Sequence, residues 1–176
     1  MEVPELSKVK KGRLTADLPP NDDIVLFLIG MRINKLWQVW RWFPVFVAMP
    51  KMIFELAKKP ELGLINRPKT FVSGRVIMVV QFWQSFSDLE TYARNPELTH
   101  LPAWRAFNRR IKDNGSVGIW HETYQVPAGN IDSIYGNMPE FGLGAAYRTK
   151  PPGSAANTAA QRIGDRPEDT PPVESY

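Results

Sequence analysis

Cysteine is absent from all 176 residues. That removes disulfides, zinc–thiolate centres and thiolate-ligated haem together, and it fits a reducing cytosol. Histidine is nearly absent too. His100 and His121 are the only two, so they are the only strong nitrogen or sulfur ligands on offer. They are also the only side chains whose unperturbed charge changes near neutral pH. No glycine fingerprint for a dinucleotide occurs; Gly63-Leu64-Ile65 and Gly142-Leu143-Gly144 lack the spacing. No uninterrupted apolar run reaches the roughly 20 residues of a spanning helix. Met1-Glu2-Val3-Pro4 leads into a polar stretch rather than an apolar signal core, so a cytoplasmic protein is expected. Charge is modest, at a net +4. It gathers in Lys8, Lys10, Lys11 and Arg13 and again in Arg105, Arg109, Arg110 and Lys112. Neither cluster makes the long basic stripe of a nucleic-acid reader, and no nucleic-acid partner is expected.

Six tryptophans supply ample material for a core. Residues 1–23 read as an extended N-terminal arm ending in the turn-prone Pro19-Pro20-Asn21-Asp22-Asp23. Ile24 to Met31 is continuously apolar, as a strand covered on both faces is. Asn34 is a candidate N-cap for an apolar segment, Leu36 to Leu56, that crowds nearly every helical face. Pro44 and Pro50 interrupt that segment. It predicts a kinked helix buried between a sheet and another subunit, a peripheral membrane contact through Trp37 to Phe54, or the wall of an apolar-ligand site. Phe71 to Trp83 predicts one long strand or a tight pair broken at Gly74. Ser87-Asp88-Leu89-Glu90 has capping-box spacing and opens a helix that Asn95-Pro96 interrupts. In the piece that follows, His100, Trp104, Phe107 and Ile111 share one face, with Arg105, Arg109 and Lys112 on the other. Val117 to Val126 is the last strand. Pro127 to Tyr147 reads as an ordered wrap or short hairpin, and residues 148–176 as a disordered tail.

Strand, helix, strand pair, helix, strand is the order of an α+β ferredoxin-like sandwich, with helices on one face of an antiparallel sheet. The domain is expected over residues 24–147. The β-branched and aromatic residues of its strands imply that a second subunit covers the other face, giving a homodimer.

Gln81-Phe82-Trp83-Gln84-Ser85-Phe86-Ser87-Asp88-Leu89-Glu90, with Tyr92-Ala93 and His100-Leu101-Pro102-Ala103-Trp104, resembles the dimeric α/β-barrel antibiotic-biosynthesis monooxygenase superfamily. Ile29-Gly30-Met31-Arg32-Ile33-Asn34, Met49-Pro50, Trp120-His121-Glu122-Thr123-Tyr124 and Ile134-Tyr135-Gly136-Asn137-Met138-Pro139 look more narrowly like one monooxygenase-like branch. That branch was formerly a domain of unknown function, and it includes the fungal sesquiterpenoid monooxygenase of the fumagillin pathway. The resemblance covers about Ile24 to Tyr147. It implies a barrel-forming homodimer with a pocket between sheet and helices in each subunit. The superfamily holds cofactor-free oxygenases, haem-degrading enzymes and haem-binding dehydratases, so it implies an oxidoreductase, with haem as one option. In the haem-degrading relatives the proximal histidine lies on the second helix. His100 stands at a similar position, bracketed by Pro96 and Pro102.

Two chemistries follow. A cofactor-free monooxygenase needs a base and an apolar, water-poor cavity. His100 and His121 are the candidate bases and Glu122 a candidate partner. Trp83, Tyr92, Trp104 and Tyr124 are candidate walls, and Arg32 and Asn34 candidate contacts for a polar substrate group or a propionate. Unactivated carbon needs a metal or redox cofactor. Haem on His100 is the simpler form; a two-histidine iron site would draw its carboxylate from Glu122 or Glu90. Alternation along a strand puts His121 with Ile119 and Thr123 on one face, and Glu122 with Trp120 and Tyr124 on the other. The leading expectation is an enzyme oxidising or rearranging an apolar small molecule of secondary metabolism. A haem enzyme or carrier of the same fold is the alternative. A non-enzymatic dimer that binds a membrane surface or a partner is the third.

Overall fold

The computed structural model describes residues 8–19, 23–111, 114–153 and 159–163. In chain order the strands are β1 (Lys10–Ala16), β2 (Ile24–Ile33), β3 (Lys69–Ser73), β4 (Val76–Trp83), β5 (Val117–Val126), β6 (Tyr135–Met138) and β7 (Thr149–Lys150). The helices are α1 (Val39–Lys58), α2 (Phe86–Arg94), α3 (His100–Ile111), α4 (Leu143–Tyr147) and α5 (Ala159–Ile163). They sort into two compact units, one over residues 24–125 and one joining 1–23 to 126–176.

The central unit has the β-α-β-β-α-β order of a ferredoxin-like sandwich, with its second helix split into α2 and α3. Its sheet runs β3-β4-β2-β5. β2 and β3 both pair antiparallel with β4, with Phe27 opposite Gln81, Met31 opposite Ile77 and Thr70 opposite Val79. Directly opposed residues share a face, so Val25, Phe27, Ile29 and Met31 lie beside Trp83, Gln81, Val79 and Ile77 on the helix side. Two cores hold that side. Val25, Leu56, Trp83, Leu89, Tyr92 and Leu98 form one, and Met31, Ile33, Ile111 and Val117 the other.

The sequence signals at element ends are partly displaced. The pair reading of 71–83 holds: Ser73 opposes Val76 across a two-residue turn. Gly74 takes φ +55° there, the left-handed first position of a II′-type hairpin turn. The cap of α2 is Ser85, not Ser87; its hydroxyl accepts from the Asp88 N–H at 3.0 Å. The same hydroxyl donates to the Asp88 carboxylate at 2.6 Å. Asn34 is not the cap of α1, which begins at Val39 without a side-chain cap. Its carbonyl side chain instead receives the Arg32 guanidinium. Pro44 and Pro50 both lie inside α1, which continues through them.

The other unit is described by itself. The expected arm contains β1, which pairs antiparallel with β6 and β7 in a three-stranded sheet. Residues 126–147, expected in the central domain, thus group with the N-terminal segment, because β6 finds its hydrogen bonds on β1. Of the tail expected from residue 148, Thr149–Lys150 is β7 and residues 159–163 form α5. There Arg162 Nη2 donates to Asp132 at 3.1 Å. Residues 154–158 and 164–176 lie outside the described residues, as does Lys112.

Candidate active site

Between the sheet and α1, α2 and α3 lies a cavity of about 560 Å³. Phe27, Ile29, Met31, Ile77 and Val79 floor it, Met49, Met52 and Ile53 of α1 wall one side, and Leu89 and Phe107 another. Three methionines among these give a wall that adapts to ligand shape. The polar groups that reach it are few: Arg41, Thr70, Glu90, His100, Arg110, His121 and Thr123. A small polar set in an apolar hollow is the usual make-up of a small-molecule site.

Both histidines line this cavity. His100 is the first residue of α3, placed there by the break at Pro96, and the shared face of His100, Trp104, Phe107 and Ile111 is the face that lines the cavity. Its Nδ1 lies 2.9 Å from the Ala93 carbonyl. A carbonyl only accepts, so Nδ1 carries the proton and Nε2 is the nitrogen left for a ligand. His121 enters from β5 with Ile119 and Thr123, as alternation requires, and its ring sits 5.7 Å from Phe27.

Glu122 is not brought to the cavity. It faces away with Tyr124, whose hydroxyl donates to it at 2.6 Å and whose pKa that bond raises. Arg32 and Asn34 bind each other, and neither lines the cavity. Trp83 is fully buried in the core with its Nε1 donating to Gln81 at 2.9 Å. Tyr92 packs between the Trp83 and His100 rings, at 5.7 and 5.9 Å. Burial, with the neighbouring Glu55 carboxylate, pushes its hydroxyl up to about 12. Of the four candidate walls, Trp104 alone lines the cavity, half-exposed and stacked 5.7 Å from Phe107. Glu90 reaches the cavity but pairs with Arg94 at 2.9 Å. Among the described residues no three His, Asp or Glu side chains come close enough to share a metal ion, so the two-histidine, one-carboxylate set is not assembled there.

Sequence reasoning missed Arg41, Arg110 and Glu55. Arg110 was counted only within a basic cluster, although it lies within one turn of Phe107 on the helix that was singled out. For Glu55 the local signal was only the i,i+4 spacing to Lys59, while its hydrogen-bond partners Tyr92 and Thr99 are 37 and 44 residues away.

A split β-α-β sandwich with an apolar, histidine-bearing cavity under its helices is a ferredoxin-like α+β domain. Residues 24–143 match the Monooxygenase af470-like family, and the chain belongs to that family. Monooxygenase af470 of Aspergillus fumigatus is 28% identical over an alignment of 158 positions that covers 79% of this chain and 55% of that protein. The chain therefore spans about half the length of this curated relative. Among solved structures, an aldoxime dehydratase superposes with a TM-score of 0.61 at 19% identity, over 82% of this chain and 44% of that one. The aldoxime dehydratase OxdRE in complex with butyraldoxime gives 0.59 at 17% identity, over 84% and 44%. At these identities the likeness is one of fold. Among the described residues no helix is long and apolar enough to cross a membrane.

Proposed function

We propose that this domain oxidises an apolar small molecule of secondary metabolism with molecular oxygen, in the cavity between sheet and helices. The convergence of both histidines on one apolar cavity carries the reading, and membership of a monooxygenase-like family supports it. Dioxygen reacts slowly with closed-shell molecules unless the substrate is first made electron-rich. A phenol or 1,3-dicarbonyl bound against the methionine wall loses a proton to His100 Nε2. The imidazolium so formed keeps its Nδ1–H bond to the Ala93 carbonyl. The anion passes an electron to dioxygen, and the radical pair joins as a carbon–peroxide bond. The peroxide takes the proton back from His100; loss of the remaining C–H on the same carbon then breaks the O–O bond, leaving the inner oxygen as C=O and releasing the outer one as water. A CH₂ and O₂ thus become C=O and H₂O with no outside reductant. Apolar walls keep water from the intermediates.

Oxygen uptake with a panel of apolar phenols and 1,3-dicarbonyls tests this. Substrate-dependent uptake that falls by about 10²–10⁴-fold in His100→Ala is expected. Uptake unchanged in that variant overturns the role of His100.

The bond from Nδ1 to Ala93 favours a second reading, haem held through His100. A histidine anchored by a backbone carbonyl would hold the iron through Nε2. Arg41 and Arg110 would pair with the propionates. Haem, when bound, supplies redox chemistry for unactivated carbon. Adding haemin should then give a sharp Soret band that His100→Ala loses; no band rejects this reading.

The partner reading is a second copy on the far face of the sheet. There Leu28, Val80, Phe82 and Trp120 are only half-buried, and Phe71 is exposed. Sedimentation equilibrium should report a dimer that Phe82→Glu dissociates; a monomeric parent chain rejects it.

A further inference from the structure

A surface helix on a sandwich normally turns its apolar stripe inward and its polar residues outward. α1 is apolar on both sides. Its inner side, with Val45, Ala48, Met49 and Met52, lines the cavity. On its outer side Trp40, Phe43, Val47 and Phe54 follow the helical repeat in a single line about 21 Å long. Trp40 is 69% exposed, Phe43 50% and Phe54 63%, and Trp37 in the turn before the helix is 68% exposed.

The charged residues that helical spacing puts on this side of α1 are Lys51 and Lys58. From residue 24 to 54 the charged residues are Arg32, Lys35, Arg41 and Lys51, without an acid. Lys58 follows, its Nζ 4.3 Å above the Phe54 ring. Glu55, the acid of the helix, is turned inward and accepts from the Thr99 N–H at 2.9 Å.

We propose that α1 docks this chain on an anionic lipid surface. Trp37, Trp40, Phe43 and Phe54 enter the boundary between headgroups and acyl chains, and Lys51 and Lys58 meet the headgroup charge. Tryptophan favours that boundary, where its ring is wetted at one end and apolar at the other. Flanking lysines add attraction to anionic lipid. A second copy suits this face less well. A two-fold contact would lay the same cationic flank against itself, whereas an anionic surface neutralises it. The docked helix is also a wall of the cavity, so an apolar substrate dissolved in lipid meets the domain at its binding site. The docking stands whether or not the cavity performs oxidation.

Co-sedimentation of the full chain with phosphatidylcholine vesicles, with and without phosphatidylserine, tests the proposal. The chain should pellet with the phosphatidylserine vesicles, more weakly with phosphatidylcholine alone, and its tryptophan emission should shift to the blue. Trp40→Glu with Phe43→Glu should abolish pelleting and leave the circular dichroism unchanged, since both side chains face solvent. Lys51→Gln and Lys58→Gln should each weaken binding to the anionic vesicles roughly fivefold. That lysine pair carries the test if the double variant does not fold. A chain that stays in the supernatant with both vesicles overturns the proposal. So does a vesicle-free dimer that Trp40→Glu with Phe43→Glu makes monomeric, which would assign the face to a second copy.

Discussion

Glu55 of α1 accepts hydrogen bonds from both the N–H and the hydroxyl of Thr99, the residue that precedes His100. The Tyr92 hydroxyl lies 3.5 Å from the same carboxylate, and the Lys59 ammonium 3.8 Å from its other oxygen. One side chain thus ties α1 to the start of α3, where the cavity histidine begins its helix. Burial alone would raise the Glu55 pKa. The two hydrogen bonds from Thr99, helped by Lys59 and Tyr92, outweigh burial and hold it below the usual carboxylate range.

Glu55→Ala should cost about 1–3 kcal/mol, the range for lost hydrogen bonds to a charged group, and Glu55→Gln should restore part of it. Because the folded-state pKa is lowered, the stabilisation is complete above the unfolded-state carboxylate pKa and disappears as pH falls through the folded one. Denaturant melts across the acid range should therefore show a weaker loss of stability with falling pH in Glu55→Gln than in the parent. As a positioning residue for His100, Glu55 should also affect kcat more than KM. Equal pH profiles and an unchanged kcat would remove it from both roles.

Ala48 faces the cavity from α1. Ala48→Phe should fill part of the hollow with apolar volume that needs no new cavity. Stability should hold or rise slightly, while binding of an apolar fluorescent probe falls. Retained probe affinity at unchanged stability would move the binding site elsewhere.

Gly30 lies on β2 where a Cβ would stand 2.6 Å from the Ile77 carbonyl oxygen and 2.7 Å from Trp120 Nε1. The first neighbour is backbone and cannot swing aside. Gly30→Ala should lower the denaturant midpoint by the equivalent of about 1–3 kcal/mol, as overpacking does. A midpoint equal to that of the parent would mean that the sheet yields more readily than its packing implies.

Trp83 and Gln81 are both buried, and the indole N–H donates to the amide oxygen. Trp83→Phe strands that oxygen and should cost about 1–3 kcal/mol beyond the lost packing. Adding Gln81→Leu should recover part of the loss; a strictly additive double-mutant cycle would show the pair uncoupled.

The strands and the cavity face of α3 were legible because periodicity is local. Alternation assigned His121 and Glu122 to opposite faces, and helical spacing aligned His100 with Trp104, Phe107 and Ile111. The failures sit where short-range signals compete. Ser85 and Ser87 both precede acidic residues at usable spacing, and the chain's direction out of Trp83 selects Ser85. Asn34 is drawn to Arg32 rather than to a helix end. The N-terminal strand was missed because Lys10–Ala16 is polar, and its partner β6 is more than 100 residues away.

By itself the sequence determined the β-α-β-β-α-β order, the absence of thiol chemistry and the restriction of nitrogen ligands to two histidines, since each rests on local pattern or on composition. The tertiary structure decided that both histidines share one cavity, that Glu122, Arg32 and Asn34 stay out of it, and that α1 keeps an apolar line facing outward. Those are properties of sheet register and helix packing, in which residues far apart in the chain meet, and no window along the sequence contains them.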